Sequence, residues 1–140
     1  MNKWLQIVPL AIFLSLTSAA RVAVAEGDET AFQTQYIEMK PSFVTNFGQP
    51  GNKKLKFVKA DVSLRVTTRA SADAVEHHMA YLRNEIVFLL SSQAESAMIS
   101  GEGQETVRQA ALKSVNAFLR KEADGAMVDD LLFTNFVVQR

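Results

Sequence analysis

VKADVSLRVT, residues 58–67, alternates strictly between apolar side chains at even-numbered positions and polar side chains at odd-numbered positions. Successive side chains of a strand point to opposite faces of a sheet, so this pattern predicts a strand with one buried face. Leu55 and Phe57 carry apolar side chains in the opposite phase. They predict either a bulge near Phe57 and Val58 or a strand end that is covered on both faces.

Two amphipathic helices are predicted after this strand. Apolar spacings of three and four residues indicate a first helix over 72–92, and Asp73 with Glu76 fits a capping pattern at its start. A second helix opens at Ser100–Gly103, interpreted as a loop whose glycines require positive φ, and stops at Gly125. The apolar stripes are Val75, Met79, Leu82, Ile86, Leu89 and Leu90 in the first helix and Val107, Ala110, Ala111, Val115, Phe118 and Leu119 in the second.

The flanking segments are predicted to be extended. Residues 36–47 form a strand that Pro41 either confines to a sheet edge or breaks in two, and residues 48–52 form a turn. The tail from Val128 to Gln139 is rich in β-branched and aromatic residues and predicts a buried strand. The fold class is therefore α+β: a small antiparallel or mixed sheet with two amphipathic helices on one face, in the order β-β-α-α-β.

The N-terminus has the pattern of a secretory signal peptide. A basic residue at Lys3 precedes a mostly apolar run, and small residues at Ala23-Val24-Ala25 precede a polar stretch. We expect residues 1–25 to be a cleaved signal peptide or, alternatively, an uncut membrane anchor. Both place the remainder in the periplasm, either soluble or tethered to the inner membrane, with 26–35 as a flexible lead and 36–140 as one domain.

Composition excludes several classes of protein. The chain has no cysteine, so it has no disulfide, no thiolate metal site and no lipid-bearing N-terminal cysteine. Its 15 basic and 15 acidic residues balance, so nucleic acid is not an expected partner. Residues 40–69 are nonetheless basic, and Lys53, Lys54, Lys56 and Lys59 are a candidate contact for an anionic membrane or a partner. The alternative is an ordinary solvated strand face, where lysines commonly protect sheet edges.

No active site, metal site or cofactor site is predicted. His77 and His78 are neighbours, and side chains one residue apart on a helix diverge by about 100°, which prevents them from sharing a metal. Asp129 and Asp130 would point to opposite faces of a strand, which favours a role at a turn or strand start over paired acid and base chemistry. We therefore predict a protein that is not an enzyme and binds no cofactor.

The segments, taken together, resemble the FliL family of flagellar basal-body-associated proteins. No single motif is decisive, but their order and spacing extend over most of the chain. The residues that carry the resemblance are Tyr36 to Pro41, Phe43-Val44, Asn46-Phe47, Leu55 to Val58, Arg83 to Ile86, Leu89 to Ser91, Gly101 to Gly103, Val115-Asn116, Phe118-Leu119 and Val128 to Gln139.

This resemblance implies a periplasmic domain similar to the stomatin-like (SPFH) fold. It further implies a scaffold beside the stator units of the flagellar motor, with roles in motility, chemotaxis and swarming, and assembly into a homo-oligomeric ring. Family members usually carry a cytoplasmic basic tail and a clear transmembrane helix, whereas only two residues precede Lys3 here. The alternative hypothesis is a soluble periplasmic binding or chaperone-like protein that shares the fold but is not part of the motor.

Overall fold

The computed structural model describes residues 32–48 and 54–140. In chain order its elements are β1 (Gln35–Glu38), β2 (Phe43–Asn46), β3 (Phe57–Val66), α1 (Arg69–His77), α2 (Met79–Ser91), α3 (Glu95–Ile99), α4 (Gly101–Glu122) and β4 (Asp130–Gln139). The predicted α+β class is confirmed. The predicted order β-β-α-α-β is wrong in its count, because the first predicted strand forms two strands and the helical region forms four helices.

Some predictions fall on residues outside the described ranges. The export segment at 1–25, residues 49–52 of the predicted turn at 48–52 and Lys53 are among them. Of the lead at 26–35, the structure describes the last four residues: Phe32 packs against the core, with the Arg69 guanidinium 5.9 Å from its ring centre, and Gln35 opens β1.

β3 is the central strand of the sheet, and all of its pairings are antiparallel. Its even-numbered side chains, from Val58 to Val66, are at most 2% exposed and face the helices. This confirms the buried face that the alternation predicts. Leu55 and Phe57 are neither at a bulge nor covered, since Leu55 is 79% exposed and Phe57 lies on the opposite face.

Pro41 both breaks the predicted strand in two and lies at an edge of the sheet, which are the two alternatives that its position predicts. β1 pairs with the second half of β3 and β2 pairs with the first half, so one broken strand forms a single edge of the sheet. Pro41 lies in the segment between them. Proline has no N–H to donate to a ladder, which is why a break and an edge position both suit it.

β4 forms the other edge of the sheet, so the prediction of a buried strand is wrong for most of its residues. Leu131 is fully buried, but Val137 on the outward face is 52% exposed. Asp61 pairs with Asn135 and Val62 pairs with Phe133, which leaves Thr134 as an extra residue in a bulge. The high β propensity of this segment is consistent with a strand that is half-buried on a sheet and does not require full burial.

The helices pack on one face of the sheet, and their apolar stripes were predicted correctly. The start of the first helix was not: Thr68, rather than Asp73, is the N-cap, and its hydroxyl accepts from the Ser71 N–H at 3.1 Å. His78 then separates α1 from α2. The helix residues with 0% exposure are Val75, Leu82, Leu90, Met98, Ala111, Val115 and Leu119.

The Ser100–Gly103 segment is not a loop that requires positive φ. Ser100 is the N-cap of α4, and its hydroxyl accepts from the Gly103 N–H at 3.0 Å. A Cβ atom at position 103 would lie 2.4 Å from the Ala97 carbonyl oxygen, so the glycine permits α3 to approach α4. Positive φ occurs instead after the helix end, at Gly125 with φ of 83°.

Candidate functional site

The face of the sheet that the helices leave uncovered is the candidate interaction surface, and we call it the open face. It carries the odd-numbered residues of β3 with their cross-strand neighbours from β1, β2 and β4. Large apolar side chains are exposed at both of its ends. They are Tyr36 at 58%, Val44 at 63%, Phe57 at 36% and Val137 at 52%.

The register of the sheet places these apolar residues beside charged ones. Lys59 lies between Val44 and Val137, while Arg65 lies between Tyr36 and Asp130. Directly opposed antiparallel residues have Cβ atoms about 4.5–5.5 Å apart, so each charged residue is a close neighbour of the residues opposite it. Such mixed surfaces are typical of protein-binding sites rather than of catalytic pockets.

A cleft of about 720 Å³ opens where the edge strand breaks between β1 and β2, and we call it the strand-break cleft. Its size falls within the range of about 300–1,000 Å³ for sites that hold small molecules or side chains. The residues that line it are Glu38, Met39, Lys40, Pro41, Ser42, Asp61, Val62, Ser63 and Thr134.

Asp61 supplies a carboxylate to this cleft. The Asn135 side-chain N–H donates to it at 3.1 Å. Hydrogen bonds from Ser42 and Asn135 hold the pKa of the Asp61 carboxyl below its ordinary value, so the group is ionised at neutral pH. Within the described ranges no lysine, arginine or histidine makes an ion pair with it.

Ser63 lies beside Asp61 in the cleft wall and is only 5% exposed. Its hydroxyl makes no hydrogen bond to any other described residue. On the two sides of the sheet, Glu38 and Leu132 are its strand partners. A hydroxyl at a cleft wall that has no protein partner is available to a bound group.

A side chain of helix α2 holds the rim of the cleft in place. The Arg83 guanidinium donates to the Met39 carbonyl oxygen at 2.5 Å and lies over the Phe43 ring, 4.2 Å from its centre. At the solvent side, Lys40 pairs with Glu38 at 2.7 Å, and both side chains are largely exposed. Met39 itself is buried, so the segment around Pro41 is anchored at its start.

The structure separates the lysines that the sequence placed together. Lys56 is bonded to Glu95 of α3, on the helix side, and its side chain is 17% exposed. Lys59 lies on the open face, and Lys54 is exposed before β3 begins. Lys54 and Lys59 are thus the exposed members of this candidate contact among the described residues, and binding through Lys53, Lys54, Lys56 and Lys59 stays a prediction.

The neighbouring pairs His77-His78 and Asp129-Asp130 make structural contacts with surrounding residues. The His78 ring lies edge-on to the Phe118 ring, with 5.3 Å between ring centres, and the His77 ring packs edge-on against the His78 ring. Asp129 accepts from the Thr67 hydroxyl at 2.9 Å, and Asp130 is bonded to Arg108 at the start of β4. The predicted strand-start role of the two aspartates is confirmed.

Sequence reasoning missed the strand-break cleft. Pro41 signalled a break in the edge strand, but nothing in the local pattern indicates that Asp61 and Ser63, twenty residues later, face that break. Only the register of β1 and β2 on β3 brings them together. In residues 32–48 and 54–140, no group of three metal-binding side chains forms a candidate metal site, and no helix has the length and apolar character that crossing a membrane requires.

Comparison with known proteins adds the family. The sequence model described as "Flagellar basal body-associated protein FliL" matches residues 36–139. The flagellar protein FliL of Aquifex aeolicus (strain VF5) is 24% identical over 102 residues, which cover 73% of this chain and 60% of that protein. The chain therefore spans less than two thirds of that relative's length. Because the family match runs from β1 to the end of β4, the chain belongs to the FliL family of flagellar basal body-associated proteins, a family of structural and accessory proteins and not of enzymes.

Proposed function

We propose that this chain is a non-enzymatic scaffold that supports the stator units of the flagellar motor from the periplasm, with effects on swimming, swarming, chemotaxis and the response to load. The observation that carries this proposal is the family match over residues 36–139, which includes all of the sheet except Gln35 and all four helices. The proposal includes the similarity to the stomatin-like (SPFH) domain that the resemblance implies.

The open face supports a role in protein binding. Exposed apolar side chains such as Val44, Phe57 and Val137 are grouped by the register around Lys59, instead of being scattered singly. Grouped apolar exposure with polar neighbours is typical of surfaces that bind other proteins. We infer that stator or basal-body proteins bind here.

Self-association is part of the proposal. Within the described ranges β4 pairs only with β3, so its outer edge offers ten residues of backbone to another chain. The N–H and C=O groups of a strand edge are a template for further pairing. Sedimentation velocity of the purified protein should show a concentration-dependent homo-oligomer, and substitution of prolines on the outer edge of β4 should reduce it. A monomer at every concentration, with and without lipid vesicles, would contradict assembly.

The location is inferred from the N-terminal pattern. Residues 1–25 would direct the domain to the periplasm and, if uncut, would hold it beside the inner membrane. Lys54 and Lys59 would then contact anionic lipid or a partner. The mass of the protein isolated from cells distinguishes the two forms, since cleavage after Ala25 leaves Glu26 at the N-terminus.

Deletion of the gene tests the motor role. We expect reduced swimming and swarming, with the largest loss in viscous medium, and recovery when the wild-type gene is returned. Stator proteins should copurify with a tagged copy. Normal motility at every load together with no copurifying motor protein would refute the proposal.

The second candidate function is a soluble periplasmic binding or chaperone-like protein outside the motor. The strand-break cleft favours it, because a scaffold does not require a cavity of about 720 Å³. Unchanged motility in the deletion strain, with capture of an envelope protein unrelated to the flagellum, would support this function over the first.

A further inference from the structure

We propose that the strand-break cleft binds the cationic side chain of a lysine or arginine that belongs to an extended segment of a protein partner. This inference deepens the proposed function, because it states the chemistry that a partner of the open face presents. It concerns the cleft lined by Asp61 and Ser63, which the family assignment does not describe.

Charge is the first argument. Asp61 is an ionised carboxylate whose described partners, Asn135 and Ser42, are neutral donors. A carboxylate has about four lone-pair sites, so two neutral donors leave it able to accept a charge-assisted bond. Lys59, two residues along the same face, also lowers the pKa of the Asp61 carboxyl through its charge, but it makes no ion pair with Asp61. A cation entering the cleft would therefore meet a negative group that is not yet neutralised.

The second argument is the Ser63 hydroxyl. It belongs to a residue that is 95% buried, lines the cleft and has no hydrogen-bond partner among the described residues. An ammonium group carries three N–H donors and a guanidinium carries five, so either can bond to this oxygen while it pairs with Asp61. The Thr134 hydroxyl, placed by the β4 bulge, lines the same cleft.

The remaining lining suits the rest of such a side chain. Pro41, Met39 and Val62 also line the cleft, and because Met39 and Val62 are each only 2% exposed, the exposed Pro41 offers most of the apolar contact surface. Lysine and arginine pack their methylene stems on apolar surface while their charged ends remain in polar surroundings. The cleft lies where the sheet edge breaks between β1 and β2, which pair with the two halves of β3, so the flanking residues of an extended segment can continue across the sheet edge.

Lys40 is the competing cation, and its position is informative. It pairs with Glu38 at the solvent side of the rim instead of entering the cleft toward Asp61. Replacing it removes a positive charge near the site and frees the Glu38 carboxylate. A Lys40→Gln variant should therefore bind a cationic side chain more tightly than the wild type does.

Nuclear magnetic resonance titration of the full chain with blocked pentapeptides tests the inference. Three peptides have lysine, norleucine or glutamate at the centre of four glycines, and n-butylammonium serves as the free amine. We expect the lysine peptide alone among the three to shift the amide signals of Ser42, Asp61 and Ser63. Asp61→Asn should weaken its affinity about tenfold, the loss expected for one charge-assisted hydrogen bond. The matched control is Asp73→Asn, on an exposed residue of α1, which should bind as the wild type does.

Several results would overturn the inference. Equal shifts with norleucine would show that charge is irrelevant, and unchanged affinity in Asp61→Asn with a native spectrum would exclude that carboxylate. If n-butylammonium binds as tightly as the lysine peptide, an extended segment contributes nothing and the partner chemistry is wrong. If Asp61→Asn perturbs the whole spectrum, Glu38→Gln replaces it as the rim variant, with weaker binding expected. None of these outcomes depends on motility, so the cleft and the motor role can fail separately.

Discussion

Replacement of Asn116 by alanine should be among the most destabilising single changes in α4. The Asn116 amide N–H donates to the Val128 carbonyl oxygen at 2.9 Å, and its carbonyl oxygen accepts from the Val128 N–H at 2.8 Å. Both residues are buried, at 7% and 1% exposure. Alanine would leave two buried backbone groups without partners, at about 1–3 kcal/mol each. We expect the free energy of unfolding to fall by about 3 kcal/mol, which lowers the midpoint of thermal unfolding by roughly 10–20 °C.

Urea denaturation of the full chain, followed by circular dichroism at the helix signal, measures this loss. Asn135→Ala is the matched control, because it removes one exposed bond of 3.1 Å to Asp61 and should change stability by less than about 0.5 kcal/mol. Equal stability of Asn116→Ala and the wild type would refute the reasoning. Equal losses of stability in the two alanine variants would also refute it, because the amide pair with Val128 would then contribute no more than one exposed hydrogen bond.

Two further outcomes follow from α4. Gly103→Ala should destabilise the protein by about 1–3 kcal/mol, because its Cβ would overlap the Ala97 backbone. Gly101→Ala has open space around its Cβ and should be neutral or stabilising by up to about 1 kcal/mol. Thermal melts of the two variants check this, and a loss of stability in both variants would contradict it. Two hydrogen bonds from Arg108 lower the pKa of Glu105 from 4.5 to about 2, so the contribution of this pair is complete above pH 4.5 and is lost as pH falls toward 2. Glu105→Gln should therefore flatten the acid side of the stability profile in that window, and an unchanged profile would show that the pair does not contribute.

The periodic elements could be predicted because the local sequence pattern indicates which of their side chains are buried. The alternation from Val58 to Val66 marks the buried face of β3, and the spacing of Val107, Ala111 and Val115 marks that of α4. In both cases each residue's environment depends on the face of its own element. No distant partner has to be known, which is why side-chain period alone is sufficient.

The breaks between elements could not be predicted in the same way. The apolar spacing continues from Val75 through Met79 to Leu82, so nothing in the period reveals that His78 interrupts the helix. The role of Asn116 was equally hidden: it stood among the residues of the family resemblance, but its bonds to Val128 span twelve positions. Such features depend on pairing between distant segments, and a single sequence does not encode that pairing locally.

The position of β4 in the chain has a consequence for the order of folding. It pairs with β3 over nearly the whole length of that strand, yet its residues, 130–139, are the last of the domain to be synthesised. While they are still within the ribosome, β3 has one edge unpaired and Leu131 is missing from the core. A nascent chain cannot complete this sheet, and it would remain open to chaperones until translation of the domain ends.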